Sequence, residues 1–293
     1  MDQRATLAVP FQVALLHIPK TGGMAVGAAL IEALQTDRVA RGFDLSMFGA
    51  IRDFGTMSPS LRSAIFDNIQ DLPREADLIL GHKSHATLRE VYPDAKIICL
   101  IREPRSRVLS HWTYWRSLSG VSEMQWGTLA AYVQTATGRL KDMLTNPLVA
   151  SQIDNCTLRM LMWPDPRLPD ADFIAERHEA ELLAEAKSKI DQIAFASIYE
   201  NWDLDAELSQ FLGAQFERKR VNETPPTDDL VPNVRRELDG ETLAALEARC
   251  RLDAELWLHL CSGVDGSARR HEADAIFLRS VAGYIARGVM TYR

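Results

Sequence analysis

A lysine and a pair of glycines follow the first apolar segment of the chain, in the run His17-Ile18-Pro19-Lys20-Thr21-Gly22-Gly23. Residues 11–17 are short and apolar enough for a buried strand, and residues 24–34 place apolar side chains at helical spacing. A turn from a strand into a helix directs several backbone N–H groups the same way, and the helix dipole adds partial positive charge. The glycines permit close approach of a ligand, and Lys20 adds a point charge. We therefore expect an anion site suited to a nucleotide 5′-phosphate, although a plain tight turn with a surface lysine is the alternative.

The order of residues in this turn differs from a Walker A loop. That loop places its lysine after the glycines and follows it with Ser or Thr, which holds magnesium, whereas Lys20 precedes the glycines. A metal-dependent phosphotransferase also needs a carboxylate at a strand end. Asp77 begins its predicted strand, and Arg102 ends another. The sequence therefore predicts phosphate binding without a metal and disfavours a P-loop kinase.

A second basic cluster follows the apolar segment 95–101, in the run Arg102-Glu103-Pro104-Arg105-Ser106-Arg107-Val108-Leu109-Ser110. Pro104 is typical of the first turn of a helix. Arg107 and Ser110 are three residues apart and so share one face of that helix. An arginine at the strand end and a hydroxyl nearby can hold a second phosphate by charge-assisted hydrogen bonds. The alternative is a solvated basic helix face on which Glu103 pairs with an arginine.

A histidine follows a third apolar segment. His82 comes directly after residues 77–81, so Lys20, His82 and Arg102 each follow a predicted strand. Apolar strands without alternation indicate a parallel sheet that is covered on both faces. Ligands of such sheets bind beyond the carboxyl ends of the strands. We therefore expect an α/β fold, a P-loop-like parallel sheet flanked by helices, with one site at that edge.

The remaining chain reads mainly as helices. The pattern predicts a fourth strand at residues 193–198, a basic loop at residues 218–226, and helices at residues 61–71, 171–193, 204–212 and 242–260. Residues 262–293 form a tail with several arginines. We expect one catalytic domain over residues 9–261 and a C-terminal helical extension over residues 262–293.

Composition limits the class of function. The formal net charge of −7 argues against nucleic-acid binding and against gripping a long polyanion without a local basic groove. The four cysteines form no CxxC pair, so we expect reduced thiols and no zinc site. The apolar stretch at residues 5–16 is shorter than the roughly 20 residues that span a bilayer. We therefore expect a soluble cytoplasmic protein; the sequence leaves its oligomeric state open.

The two anion motifs together resemble a known family. The run at residues 17–23 looks like the 5′-phosphosulfate loop of the sulfotransferases that use 3′-phosphoadenosine-5′-phosphosulfate (PAPS), in the carbohydrate branch (heparan-sulfate 2-O-type, or sulfotransferase family 2). Arg102-x-Pro104-x-x-Arg107-x-x-Ser110 looks like that family's 3′-phosphate motif. Leu80-Gly81-His82 resembles the Gly-His after the intervening strand, where the branch places its general base. Weaker likenesses lie at residues 198–201 and 220–222.

The resemblance implies a role for each candidate residue. Lys20 and His82 would be catalytic, with Lys20 at the leaving oxygen, His82 as general base and His85 as the fallback base. The donor PAPS and the product 3′-phosphoadenosine 5′-phosphate would be bound by Pro19, Lys20, Thr21, Gly22, Gly23, Met24, Arg102, Arg107, Ser110 and Arg220. Of these, Arg107 would be a weaker helper, and Arg220, beside Lys219, would close over the adenine end of the nucleotide, with a solvated loop as the equal alternative.

The acceptor and the level of activity are less defined. The family usually has Thr and Ser after the glycine pair, whereas this chain has Met24 and Ala25, which allows a nucleotide-binding protein that has lost transfer. The acceptor would be a hydroxyl on a carbohydrate or a small metabolite. Trp112, Tyr114, Trp115 and Trp126 follow the second motif; we expect core packing for them, with an acceptor groove as the alternative.

Overall fold

The described part of the chain is built on a parallel sheet. The structure is a computed structural model, and it describes residues 9–118, 126–219, 237–261 and 266–286. Five strands occur in these ranges, namely β1 (Val13–Leu16), β2 (Val39–Ala40), β3 (Leu78–Ile79), β4 (Lys96–Ile101) and β5 (Phe195–Ile198). Their order is β2-β3-β1-β4-β5, and every pairing is parallel. The expected α/β fold is confirmed.

Helices cover both faces of this sheet. Their bounds in the described ranges are α1 (Gly23–Leu34), α2 (Pro59–Arg62), α3 (His85–Val91), α4 (Pro104–Ser117), α5 (Ala130–Gln134), α6 (Leu140–Thr145), α7 (Ala150–Ile153), α8 (Cys156–Met162), α9 (Glu176–Asp191), α10 (Leu204–Leu212), α11 (Gly240–Leu260) and α12 (Gly266–Ala286). Short 3-10 turns lie at Leu45–Met47, Ile69–Asp71, Gly127–Leu129, Thr135–Thr137 and Pro147–Val149.

Alternate side chains of each strand enter different cores, because successive residues of a strand face opposite sides. Leu16 and Cys99 pack in the core that α3, α8, α9 and α11 cover. Leu15 and Leu100 pack in the opposite core, beneath α1 and α10. The apolar side chains of β1 and β4 on both faces of the sheet are almost fully buried. This burial explains why these strands appear in the sequence as continuous apolar runs.

A third core lies beside the sheet and is helical. It joins α4 to α5, α6, α11 and α12 through buried side chains such as Trp112, Leu140 and Leu246. Phe277 and Tyr284 of α12 belong to the same core. The division at residue 261 stays a prediction, but α12 packs against α4, the helix that carries the second anion motif.

Two segments differ from the sequence-based expectations. The helix predicted over residues 61–71 is wrong: α2 ends at Arg62, and a 3-10 turn follows only at Ile69–Asp71. Between them the chain is extended, because the Phe43 N–H donates to the Ala64 carbonyl and the Phe66 N–H donates to the Phe43 carbonyl (2.8 and 2.9 Å). The short strand β2 was not expected, since two residues are too few for a periodic pattern.

No described helix is long and apolar enough to cross a bilayer. All four cysteines are free and buried.

Candidate functional site

The turn after β1 has the backbone geometry of an anion cradle. Lys20 has a φ of 68° and Gly22 a φ of 75°, and α1 begins at Gly23. Positive φ values in a tight turn bring successive N–H groups onto its concave side. The Thr21 hydroxyl is already used, because it donates to the Ile18 carbonyl within the turn (2.8 Å). Backbone amides and the Lys20 ammonium are therefore what the turn offers to a ligand.

Aromatic rings packed on the turn require both glycines. A Cβ on Gly22 would lie 2.3 Å from the Tyr199 ring, and one on Gly23 would lie 1.8 Å from His17 Nε2. Gly22 also needs its positive φ, whereas Gly23 is needed for space alone. Tyr199 follows β5 and His17 follows β1, so two strand ends hold the turn in place.

The second anion motif begins where β4 ends. Arg102 donates from Nη1 to the Lys20 carbonyl (3.2 Å), which joins the two motifs directly. Glu103 caps α4 by accepting from the Arg105 and Ser106 N–H groups (3.2 and 2.8 Å). Its carboxylate also pairs with Arg105 Nε (2.8 Å). Glu103 is therefore a capping residue, and its partner Arg105 is held away from the ligand side.

His82 is fixed by a bond to the first motif. Its Nδ1 lies 2.6 Å from the His17 carbonyl oxygen. Since a carbonyl only accepts, the neutral imidazole carries its proton on Nδ1 and has a lone pair on Nε2. Burial, opposed by the His17 bond and aided by the nearby Lys83, lowers the pKa of His82 to about 4. At neutral pH His82 is therefore an uncharged hydrogen-bond acceptor.

A single large cavity of about 1080 Å³ opens at these strand ends. β3, β1 and β4 are neighbours in the sheet, so the residues that follow them meet at one edge. His82, Lys20 and Arg102 all line the cavity, and Ser110 of α4 joins them. The residues that follow these three strands therefore lie in one cavity.

Lys20 lies in the cavity without a carboxylate partner among the described residues. Its Nζ sits 3.9 Å from the centre of the Tyr114 ring, a cation–π contact. Burial and the nearby Arg102 lower the pKa of Lys20 to about 8. A bound anion would raise the pKa of Lys20 again, because its negative charge would stabilise the ammonium form.

The other predicted site residues divide into three groups. Pro19, Gly22, Gly23 and Met24 line the cavity, and Met24 is 63% exposed. Thr21 and Arg107 are buried and are not among the lining side chains. Arg107 donates to the Gln152 carbonyl (3.1 Å), while its Nε and Nη1 have no hydrogen-bond partner. Arg220 lies outside the described residues, as does the landmark at residues 220–222.

The fallback base occupies a different place from His82. His85 begins α3, is almost fully buried and does not line the cavity. Its charged neighbours are Lys189 and Arg89. The geometry thus brings only one of the two candidate histidines to the lysine and arginine.

The aromatic residues after the second motif are split between core and cavity. Trp112 is fully buried in the helical core, as expected. Tyr114, Trp115 and Trp126 line the cavity instead, which corrects the expectation of core packing alone. Trp115 does both, since it is 6% exposed and also packs in the helical core.

Sequence reasoning missed several polar residues of the cavity, among them Gln152, Asp205 and His111. His111 is 3% exposed and lines the cavity, and neither of its ring nitrogens has a hydrogen-bond partner. Burial holds its pKa well below the usual value, with nearby Arg107 acting in the same direction. Its only sequence signal is its position next to Ser110.

Within the described ranges, no three His, Cys, Asp or Glu side chains are grouped so that they could hold a metal ion.

We expect Gly23→Ala to lower the free energy of unfolding by about 1–3 kcal/mol, because the new methyl group must displace the His17 ring. Urea denaturation measures this change. Gly240→Ala is the matched control, since it also lies in the first turn of a helix but has open space around it. Equal stability of the two variants would contradict the packing described here.

Residues 29–154 match the model of a family described as "Sulfotransferase family". The matched segment is less than half of the chain. It contains His82 and the second anion motif, and it begins after the glycine turn. No protein of curated function matches the chain. The family match supports sulfuryl transfer as the general chemistry of this site.

Proposed function

We propose that the protein moves a sulfuryl group from PAPS to an acceptor hydroxyl. The observation that carries this proposal is the meeting of Lys20, Arg102, Ser110 and His82 in one cavity at three adjacent strand ends. Two separate cationic positions suit a nucleotide with a phosphate at each end of its ribose. A neutral imidazole beside them suits removal of a hydroxyl proton.

The glycine turn would bind the 5′-phosphosulfate. Its Thr21, Gly22 and Gly23 amides, at the start of α1, would cradle the phosphate, with Pro19 and Met24 at the edges. Because the Thr21 hydroxyl donates within the turn, the amides carry this contact. Met24 and Ala25 bring no hydroxyl to it, so the donor has fewer contacts here than in the family this turn resembles.

Arg102 and Ser110 would bind the 3′-phosphate. Arg102 already contacts the Lys20 carbonyl, so one guanidinium orders the first motif and faces the second phosphate. Arg107 would act indirectly, because it is buried and does not line the cavity. Lys219 lines the cavity and pairs with Glu32 of α1 (2.8 Å), which favours a place near the nucleotide; the same role for Arg220 stays a prediction.

Sulfuryl transfer parallels phosphoryl transfer, an in-line displacement in which charge grows on the leaving oxygen. His82 Nε2 takes the acceptor's hydroxyl proton while the acceptor oxygen forms a bond to sulfur. The bond between sulfur and the phosphate oxygen breaks, and that oxygen keeps the electron pair. Lys20 stabilises the charge on that oxygen, and 3′-phosphoadenosine 5′-phosphate leaves.

Only the sequence resemblance suggests the acceptor, which would be a hydroxyl of a carbohydrate or a small metabolite. A nucleotide-binding protein without transfer is the competing function, favoured by Met24 and Ala25. Binding and turnover separate the two, and the first three experiments below are chosen for that purpose.

Arg102→Ala should weaken binding of 3′-phosphoadenosine 5′-phosphate far more than binding of AMP, which lacks the 3′-phosphate. Loss of a charged hydrogen bond costs about 1.5–3 kcal/mol, or a roughly ten- to hundredfold rise in Kd. Calorimetry with both nucleotides measures the ratio, and exposed Arg177→Ala is the control. An equal loss for both nucleotides would mean that Arg102 only orders the turn. Stronger stabilisation of the wild-type chain by ATP with magnesium would contradict the donor assignment.

His82→Gln should lower kcat by about a hundred- to ten-thousandfold and leave the Kd of 3′-phosphoadenosine 5′-phosphate within about twofold. Labelled PAPS measures turnover, and calorimetry measures binding. His85→Gln, three residues further along and outside the cavity, should keep its turnover. Full activity of His82→Gln, or loss only in His85→Gln, would overturn the assignment of the base.

The value of kcat/KM for the donor should fall as the pH rises through about 8, because Lys20 loses its proton there in the free protein. The donor's 3′-phosphate, a monoester with a second pKa of about 6, and its strongly acidic 5′-phosphosulfate are already fully charged. Lys20→Arg should remove this alkaline fall, since a guanidinium stays charged. If the fall persists in Lys20→Arg, it belongs to Lys83, whose pKa burial also lowers to about 8.

A further inference from the structure

The cavity continues past His82 into a wall of apolar side chains. Its members are aliphatic, aromatic or thioether groups from three separate segments: Phe43, Met47, Phe48, Leu61, Trp126, Leu129, Tyr132 and Val133. We call this set the apolar end. It begins at the base itself, because the Phe43 ring is stacked on the His82 ring with 5.5 Å between centres.

The apolar end has its own packed core, so its shape is defined before any ligand binds. Phe48 meets Phe43 and Phe54 edge to face, with ring centres 6.4 and 5.0 Å apart. Leu61 and Leu129 pack against the same cluster. A preformed apolar surface of this kind favours an apolar ligand, because it orders no further side chains on binding.

None of the charged lining residues of the described chain belongs to the apolar end, and Lys20 is the one that also acts electrostatically on His82 and His111. Arg102 contacts the glycine turn. Arg218 lies over the Tyr199 ring, 5.0 Å from its centre, and that ring packs on Gly22. Other charged lining residues contact the same region. Lys219 forms an ion pair with Glu32 of α1, and Asp205 forms one with Arg218. The Glu200 carboxylate accepts a hydrogen bond from the Glu103 N–H.

The polar groups of the apolar end are almost all used internally. The Tyr132 hydroxyl donates to the Phe48 carbonyl (3.0 Å), and the Gln152 amide donates to the Met47 carbonyl. His111, which lines the cavity beside this set, is not used in this way: it is buried against Trp115, and both of its ring nitrogens lack a hydrogen-bond partner. This end can therefore give a ligand one imidazole contact beside the contact that His82 makes.

We propose that the acceptor is an uncharged alcohol or phenol with an apolar body, whose reacting hydroxyl lies at His82 and whose body fills the apolar end. The proposal rests on the proposed function. A saccharide carries a hydroxyl on most of its carbons, and each one buried without a partner costs free energy. A sulfated glycan would also need cations, and the described residues of this end supply none.

The reaction stays balanced with such an acceptor. Its hydroxyl proton goes to His82 Nε2, its oxygen forms the new bond to sulfur, and the bond from sulfur to the donor phosphate breaks. His111 contacts a second polar atom of the acceptor, where one exists, and so acts as a positioning residue.

Turnover with labelled PAPS tests the proposal on the full-length chain. The probes are 2-naphthol and 1-decanol as apolar acceptors, maltose as a neutral saccharide, and chondroitin as an anionic one. We expect kcat/KM for 2-naphthol to exceed that for maltose by about a hundredfold or more. An equal or greater value for maltose or chondroitin overturns the proposal, and so does the absence of sulfation of both alcohols.

Two leucine variants locate the acceptor within the cavity. Leu129→Gln places an amide in the apolar end and should raise the KM for 2-naphthol by about tenfold. Leu278→Gln, on the exposed face of α12, is the matched control and should change nothing. Equal KM values in both variants would place the acceptor elsewhere.

A titration with 3′-phosphoadenosine 5′-phosphate distinguishes failure of the proposed function from failure of the proposed acceptor class. If 3′-phosphoadenosine 5′-phosphate does not bind, the proposed function itself fails. If it binds and maltose is the better acceptor, sulfuryl transfer stands and the apolar acceptor is wrong. With the nucleotide bound, calorimetry of 2-naphthol should show a negative heat-capacity change, the mark of apolar burial; no binding of 2-naphthol overturns the proposal.

Discussion

The parallel pairing of β1 with β3 on one side and β4 on the other is the constraint on which the site depends. The register aligns Ala14 with Ile79 and Leu16 with Cys99. Parallel strands end at the same edge, so the glycine turn, His82 and Arg102 meet there without help from long loops. The bonds from His82 to the His17 carbonyl and from Arg102 to the Lys20 carbonyl then fix the three ends to one another.

The same edge gathers positive charge that the carboxylates of the described chain, Asp44 and Glu200, offset only in part. Lys20 has an aromatic ring as its neighbour, and the fully buried Lys83 donates to the Gly42 and Leu80 carbonyls. Burying these cations costs free energy, and the lowered pKa values of both lysines express that cost, which nearby Asp44 reduces at Lys83. An anionic ligand offsets part of this free-energy cost when it binds, so the buried lysines favour binding of an anion. Burial, with Lys83 and Lys20 acting in the same direction, lowers the pKa of His82 and keeps it neutral, as the proposed role of general base requires.

Local signals in the sequence were enough for four of the five described strands, the turn and the start of α4. Each depends on a short apolar run, a glycine pair or a proline within a few residues. The failures are non-local. The helix predicted over residues 61–71 gives way to backbone bonds with Phe43, some twenty residues earlier, and no periodicity reports such a pairing. Arg107 shares a helix face with Ser110, as spacing predicts, yet it is buried towards Gln152. His111 and the apolar end combine segments that are far apart in sequence, so only the folded chain brings them together.

The segment at residues 42–44 joins the chemistry of the base to the apolar end. Gly42 approaches Gly81 so closely that a Cβ on Gly81 would lie 2.1 Å from the Gly42 carbonyl oxygen. The Asp44 N–H donates to the His82 carbonyl (3.1 Å), and its carboxylate accepts from the Ser84 N–H (2.7 Å). Phe43, held between these bonds, has little freedom to leave the His82 ring. The segment that holds the His82 backbone and stacks on its ring therefore also supplies the apolar surface next to it, so the position of the proposed base and the proposed choice of acceptor depend on the same residues.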